Sequence, residues 1–193
     1  METILTSIAV VAIAEIGDKT QLLAIVLAAR FRKPLPIVLG IFAATLLNHA
    51  VAASFGYLIA QWLTGHTFQI VLGVAFIAMA AWALIPDKVD EESPGSLGRF
   101  GVFGTTLVAF FLAEMGDKTQ VATVMLAAQY PHFILVVVGT TLGMLLANVP
   151  VVLAGNFAAE RLPLTLIRRI AACAFALLAL YAGYQALSLA GLV

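Results

Sequence analysis

The feature that most constrains this chain is a short charged motif that occurs twice, each time inside a long apolar run. The first copy reads EIGDKTQ from Glu15 to Gln21, and the second reads EMGDKTQ from Glu114 to Gln120. Each copy places two carboxylates and a lysine where an unpaired charge is costly. Packing alone does not require two matching copies at that cost, so we expect the copies to form one functional site together.

The composition excludes a soluble domain. Hydrophobic residues make up 63% of the 193 residues and charged residues only 10%, whereas charged residues make up about 25% of soluble proteins. Apolar runs long enough to cross the ~30 Å core of a bilayer fill nearly the whole chain. Helices satisfy the backbone hydrogen bonds of such runs, so the sequence predicts an all-α integral membrane protein. The net charge of zero gives no electrostatic reason to expect nucleic acid as a partner.

Six apolar segments form two groups of three. They cover approximately residues 3–29, 34–62, 67–85, 101–128, 131–157 and 164–189. One clearly polar stretch separates the groups, and it includes the acidic run Asp90, Glu91 and Glu92. We therefore predict six transmembrane helices in one membrane domain, with a first three-helix repeat over residues 1–86, an acidic cytoplasmic linker over residues 87–100 and a second three-helix repeat over residues 101–193.

A fixed offset of 99 residues relates the two halves. It carries Glu15 to Glu114 and Gly40 to Gly139 without a gap. Three crossings per half are an odd number, so the second half enters the membrane from the opposite side. Inverted repeats of this kind are typical of secondary transporters, whose substrate sites lie near the membrane midplane.

Positive charge lies on one side of the predicted membrane domain. Outside the motifs, the loops after the first, third and fifth segments hold eight lysines and arginines, and the opposite side holds none. These residues are Arg30, Arg32, Lys33, Lys88, Arg99, Arg161, Arg168 and Arg169. Because cytoplasmic loops carry such an excess, we expect both chain termini on the outer side.

The spacing inside the motif suggests how its groups could act. On a continuous helix, Glu15 and Asp18 share one face, and Lys19 lies four residues from Glu15 and can pair with it. Gly17 between the carboxylates makes a helix break affordable, and a break frees carbonyl ligands. The motif also supplies neutral oxygens, and the second copy repeats all of these groups. The supporting residues are Lys19, Thr20, Gln21, Lys118, Thr119 and Gln120.

Counting charges favours a divalent cation. Each ionised copy has a net charge of −1, so two copies provide the −2 that one divalent ion neutralises. Without a cation, adjacent buried carboxylates take up protons, and a site that holds either a metal or protons can exchange them. Carboxylates, amides and hydroxyls suit Mg²⁺, Ca²⁺ and Mn²⁺. The predicted metal ligands are Glu15, Asp18, Glu114 and Asp117. The structural alternative is that Glu–Lys pairs only hold the halves together.

Two asparagines and a histidine lie at similar depth in the second and fifth segments. Asn48 and Asn148 could each add an oxygen to the site or bond between helices, and both readings stay open. The offset pairs Asn148 with His49. For His49, a hydrogen bond between helices is the preferred reading over a proton relay.

The doubled Glu-x-Gly-Asp-Lys-Thr motif, on the first helix of each three-helix half, resembles a known family of cation transporters. That family includes Golgi manganese/calcium transporters of eukaryotes and manganese exporters of bacteria. Both copies match the family pattern, and the resemblance covers nearly the whole chain. It implies that Glu15, Asp18, Glu114 and Asp117 bind the metal. The short loops are similar to the bacterial branch, which implies Mn²⁺ export across a cell inner membrane, with the termini on the periplasmic side.

We therefore expect a secondary active transporter that exports Mn²⁺ or Ca²⁺ from the cytoplasm in exchange for H⁺. Lys19 and Lys118 would balance charge and replace the metal as carboxylate partners. The alternative is an exporter of small organic cations such as basic amino acids. No nucleophile–base arrangement indicates an enzyme, and no cofactor is expected. The predicted partners are the divalent ion, protons and membrane lipid, with a homo-oligomer left open.

Overall fold

The computed structural model describes residues 1–85, 101–154 and 164–192. Most of the described chain is α-helical and none of it is strand, which confirms the all-α prediction. The predicted acidic linker lies outside the described residues. The helices are α1 (Glu2–Glu15), α2 (Lys19–Phe31), α3 (Pro34–Trp62), α4 (Gly65–Ala83), α5 (Gly101–Glu114), α6 (Lys118–Gln129), α7 (Phe133–Ala154) and α8 (Leu164–Leu189).

Four of the described helices are long and apolar enough to cross a membrane. They are α3, α4, α7 and the Arg169–Leu189 part of α8. An α-helix needs about 20 apolar residues to span the bilayer core. These four helices correspond to the second, third, fifth and sixth segments of the sequence.

The first and fourth segments are each broken at the charged motif. α1 ends at Glu15 and α2 begins at Lys19, so three residues separate the two helices. In the second motif, α5 ends at Glu114 and α6 begins at Lys118. The glycines inside the breaks have positive φ angles, 83° at Gly17 and 75° at Gly116, which side chains other than glycine rarely adopt. The prediction that Glu15 and Asp18 share a face of one continuous helix is therefore wrong. The break that glycine was expected to permit is present.

The two halves interlock through their second helices. In the first half, α3 packs against α5 and α6 of the second half. In the second half, α7 packs against α1 and α2 of the first half. α3 and α7 also contact each other. Each half thus packs the second of its long segments against the broken segment of the other half.

Two glycines show how closely these helices approach. A Cβ atom placed on Gly40 of α3 would lie 2.7 Å from the Cβ of Thr106 on α5. A Cβ atom on Gly139 of α7 would lie 2.7 Å from the Cβ of Ser7 on α1. The 99-residue offset relates Gly40 to Gly139 and Ser7 to Thr106. The halves therefore make equivalent contacts with each other, and only glycine fits at either crossing.

The third segments pair with each other and cover one side of the broken helices. α4 packs along α8, α4 also contacts α6, and α8 contacts α1. Their interface is an apolar cluster in which Phe76 of α4, Phe175 of α8 and Met125 of α6 are buried. Burial of this cluster fixes the outer helices against the segments that carry the motifs.

Candidate metal site

The four predicted ligands lie buried at the two helix breaks. Glu15 and Glu114 are 0% exposed, Asp18 is 2% exposed and Asp117 is 3% exposed. The other three carboxylates lie close enough to Glu15 for their charges to interact with it. The structure therefore brings together carboxylates from both copies of the motif in one cluster.

The motif glutamines hold the breaks in shape. Gln21 accepts a hydrogen bond through Oε1 from the backbone N–H of Gly17, at 2.9 Å. Gln120 accepts the equivalent bond from Gly116, at 2.7 Å. Gln21 also donates from Nε2 to the carbonyl of Ala147 on α7, at 3.1 Å. The glutamine oxygens, which the sequence offered as neutral cation ligands, are thus used by the backbone of the turns.

Glu15 is held by a residue of the opposite half. Asn148 of α7 donates from Nδ2 to Glu15 Oε1 at 3.2 Å. Within the described residues, Glu15 Oε2 and Asn148 Oδ1 are buried without a hydrogen-bond partner. Asn148 therefore forms a hydrogen bond between helices, and its Oδ1 atom stays available beside the carboxylates. These contacts support both predicted roles, the bond between helices and the oxygen ligand.

Glu114 has a different pair of neighbours. Thr119 donates from Oγ1 to Glu114 Oε2 at 3.1 Å. His49 Nε2 lies 3.9 Å from the same oxygen, which is too long for a hydrogen bond. Both ring nitrogens of His49 are buried without a hydrogen-bond partner among the described residues. The expectation that His49 forms a hydrogen bond between helices is therefore wrong.

The two lysines have different partners. Lys19 Nζ lies 3.7 Å from Asp117 Oδ2, so its carboxylate partner in the described structure belongs to the other half rather than to Glu15 as predicted. Lys118 Nζ donates to the carbonyl of Ile85, just after α4, at 3.0 Å. The Lys19 side chain is 31% exposed, whereas the Lys118 residue is 4% exposed. Lysine charges are thus present at the cluster, and Lys19 reaches from one half to the other.

The remaining supporting residues divide between packing and the cluster. Asn48 donates from Nδ2 to the carbonyl of Phe111 at 3.0 Å, which is the interhelical role. Asp117 Oδ1 accepts from the backbone N–H of Lys118 at 2.7 Å and so caps α6. Thr20 Oγ1 is buried without a hydrogen-bond partner among the described residues. Thr20 therefore stays a candidate neutral ligand.

The described side chains do not form a closed metal cage. No three His, Cys, Asp or Glu side chains within residues 1–85, 101–154 and 164–192 converge closely enough to hold an ion. A cavity of about 10 Å³ lies beside Gly17, Asp18 and Lys118, with room for about one water molecule. The cluster has oxygen atoms that suit a hard divalent ion, and those atoms would have to move closer together to share one.

These features are typical of one class of membrane protein. A helical membrane protein whose two similar halves meet at buried carboxylates has the construction of a secondary cation transporter. The chain belongs to the GDT1 family of divalent cation/proton antiporters, whose model matches residues 3–91 and 102–190. The two matched stretches correspond to the two halves.

Individual relatives agree with this assignment. A Vibrio cholerae serotype O1 protein, provisionally named a manganese exporter, is 54% identical over 181 residues, which cover 93% of this chain and 90% of that protein. The GDT1-like protein sll0615 of Synechocystis is 27% identical over 172 residues, covering 79% of this chain and 82% of that protein. GDT1-like protein 3 of Oryza sativa is 25% identical over 187 residues, which cover 83% of this chain and 66% of that protein. No solved structure matches the chain.

Family membership confirms several predictions. The chain is a membrane transporter for cations, and it is not an enzyme. The divalent ion is its transported substrate rather than a resident cofactor. The resemblance to manganese and calcium transporters is confirmed as well.

Proposed function

We propose that this protein exports Mn²⁺ from the cytoplasm in exchange for protons through one buried site that both halves share. The observation that carries the proposal is the single cluster of four carboxylates at the two breaks. Manganese is supported by the name of the Vibrio cholerae relative, and proton exchange by the family description. Ca²⁺ is a second substrate to test.

The membrane arrangement that suits this function has six crossings. The first broken segment contains helices of 14 and 13 residues, which rise about 21 Å and about 20 Å. Neither helix spans a ~30 Å core alone, but the two in series do, and the break then lies near mid-depth. The same holds for α5 and α6. Residues 1–86 and 101–193 form inverted repeats joined by residues 87–100, and both termini lie on the periplasmic side of the inner membrane.

Charge balance supplies the coupling. The metal ligands are Glu15, Asp18, Glu114 and Asp117, and with two lysines the ionised cluster has a net charge of −2. A divalent ion neutralises that charge, and protons do so when the ion leaves. Lys19, 3.7 Å from Asp117 Oδ2, competes with the cation for that carboxylate. Metal and protons thus exclude each other at the same groups.

Alternating access follows from the interlocked halves. Because each broken segment packs against a helix of the other half, rocking one half against the other moves the two pairs of carboxylates relative to each other. The same motion can close the ligands around an ion that the described arrangement does not enclose. The paired α4 and α8 move with the segments they cover.

The family description argues against the alternative substrate. It names divalent cations and protons as the ions exchanged, and it names no organic cation. Organic cations are therefore tested only as competitors of Mn²⁺ in the uptake experiment.

The decisive experiment measures metal uptake into everted membrane vesicles with an imposed proton gradient. Wild-type protein should accumulate Mn²⁺, and collapse of the gradient should stop accumulation. Glu15→Gln and Asp117→Asn should both lose transport, while Glu2→Gln, which removes an exposed carboxylate outside the cluster, should keep it. Unchanged Mn²⁺ uptake in both site variants, or competition by lysine instead of Ca²⁺, would refute the proposal.

A further inference from the structure

We propose that His49 is a nitrogen ligand for the transported cation, and that this imidazole makes the site prefer transition-metal ions such as Mn²⁺ over Ca²⁺ and Mg²⁺. The inference rests on the proposed function, because it concerns the selectivity of the same site. It adds a ligand of a different chemical type to an otherwise oxygen-based set.

The internal repeat places His49 at a ligand-bearing position. The 99-residue offset relates His49 on α3 to Asn148 on α7. Asn148 faces Glu15, and His49 faces Glu114, so each residue lies opposite the motif glutamate of the other half. Equivalent positions in the two halves therefore contact the first carboxylate of the motif in the opposite half. One copy carries an amide and the other an imidazole.

The surroundings of His49 leave its polar atoms available. The side chain is completely buried, and neither Nδ1 nor Nε2 has a hydrogen-bond partner in the part of the chain that the structure describes. A buried polar group without a partner destabilises the folded protein. An apolar side chain would fill this space without that cost, so packing does not explain the histidine. A cation bound to the ring nitrogen explains why a histidine occupies this position.

The distance to Glu114 fits a shared ion. His49 Nε2 and Glu114 Oε2 are 3.9 Å apart. Two atoms that each bind an octahedral ion at about 2.1 Å lie about 3.0 Å apart in adjacent positions and about 4.2 Å apart in opposite ones. The observed separation lies between these values. An ion can therefore contact both atoms after a small adjustment of either side chain.

The chemistry of imidazole explains the preference. Ca²⁺ and Mg²⁺ bind almost entirely through oxygen. Carboxylates accept Mg²⁺, Ca²⁺ and Mn²⁺ alike. Imidazole is a softer donor, and a transition-metal ion accepts it more readily than an alkaline-earth ion does. A single nitrogen beside several oxygens thus raises affinity for Mn²⁺ relative to the alkaline-earth ions. The amide of Asn148 cannot supply this discrimination.

The direct test is pulsed electron paramagnetic resonance of Mn²⁺ bound to the purified full-length protein. We expect the wild-type spectrum to show modulation from a coordinated nitrogen nucleus, changed by labelling the histidines with ¹⁵N and lost in His49→Asn and His49→Gln. Because the labelling uses wild-type protein, it remains decisive even if a variant folds poorly. Absence of the nitrogen signal in wild type, or its persistence in both variants, would overturn the inference.

Transport selectivity provides the second readout. His49→Asn gives both halves the same amide, and we expect the ratio of Mn²⁺ to Ca²⁺ transport to fall about 10-fold. Adding Asn148→His to that variant returns an imidazole to the other half and should restore part of the ratio. His66→Asn, which removes a histidine at the start of α4 that bonds the carbonyl of Ala186, should leave the ratio unchanged.

The outcomes separate the two proposals. Wild-type vesicles that do not accumulate Mn²⁺ contradict the proposed function. Wild-type vesicles that accumulate Mn²⁺, with an unchanged Mn²⁺/Ca²⁺ ratio in His49→Asn and His49→Gln, contradict only the role of the imidazole.

Discussion

The two copies of the motif differ at one position in seven, Ile16 against Met115, yet their surroundings differ considerably. Glu15 receives a hydrogen bond from Asn148 across the halves. Glu114 receives one from Thr119 of its own motif and faces a histidine. Duplication therefore explains the matching carboxylates, and the facing helices α3 and α7 make the two ends of the cluster chemically distinct.

The lysines extend this comparison. Lys19 is partly exposed and reaches Asp117 in the other half, whereas Lys118 is buried and bonds the carbonyl of Ile85. The described contacts of these two identical motif residues therefore differ. α4 packs against α6, where Lys118 lies, and α8 packs against α1. Two similar halves can in this way build a site with unequal ends.

The largest expected effect tests whether the ends act as one site. Glu15→Gln and Glu114→Gln should each lower Mn²⁺ transport about 100-fold or more, because each variant removes one unit of charge from a buried cluster. Initial uptake rates in vesicles measure this effect. If the two copies were independent sites, each variant would instead keep about half of the wild-type rate.

A smaller effect tests whether the two close helix crossings, at Gly40 and Gly139, are packed equivalently. Gly40→Ala and Gly139→Ala should each destabilise the protein by about 1–3 kcal/mol, because the added Cβ overlaps Thr106 or Ser7. Thermal unfolding in detergent should show similar losses for both. Gly183→Ala on α8, where an added Cβ meets nothing within 4 Å, is the matched control. A large loss in only one of the two crossings would show that the halves are not packed equivalently.

Removing Asn148 tests the difference between the glutamates. Asn148→Leu keeps the approximate volume but removes the donor to Glu15, and we expect Mn²⁺ affinity to fall about 10-fold. Equilibrium Mn²⁺ binding to the purified protein measures this. Asn48→Leu, which breaks only the bond to the Phe111 carbonyl, should change affinity less. Equal effects of the two variants would mean that the contact with Glu15 has no special role.

The smallest expected effect concerns the lysine that crosses the halves. Lys19→Gln removes a competitor for Asp117, so Mn²⁺ affinity should rise about 3-fold, a modest change because the ion pair is partly exposed. Lys118→Gln should instead lower thermal stability, since it removes the bond to the end of α4. Weaker Mn²⁺ binding in Lys19→Gln would show that this lysine supports the metal site rather than competing with the ion.

Much of the architecture could be predicted from the sequence because the membrane restricts the choice of structure. Long apolar runs dictated helices, and the offset that joins Glu15 to Glu114 revealed two related halves. Charge inside apolar runs also pointed to the four carboxylates that the structure gathers in one cluster. These inferences depend on the cost of moving each side chain from water into the membrane, which the sequence gives for every residue separately.

The contacts between elements could not be predicted in the same way. Outside the motifs, hydrophobicity is uniform along the broken segments. Only Gly17 and Gly116 indicated the breaks, and glycine alone does not fix a positive φ angle. Pairing Lys19 with Glu15 assumed a continuous helix, whereas the break turns that lysine toward Asp117. One available signal was noted but not used to place His49 in the site. The offset pairs His49 with Asn148, so the position of either residue implies the position of the other.

The interlocking of α3 with α5 also has a consequence for biogenesis. The ribosome completes α3 at Trp62, but its packing partner α5 begins only at Gly101. Until then, the buried face of α3, with His49 and the close-packing Gly40, lacks its packing partners from the second half. Assembly of the native protein must therefore wait for the second half, and halves produced as separate chains should become stable only when both are made in the same membrane.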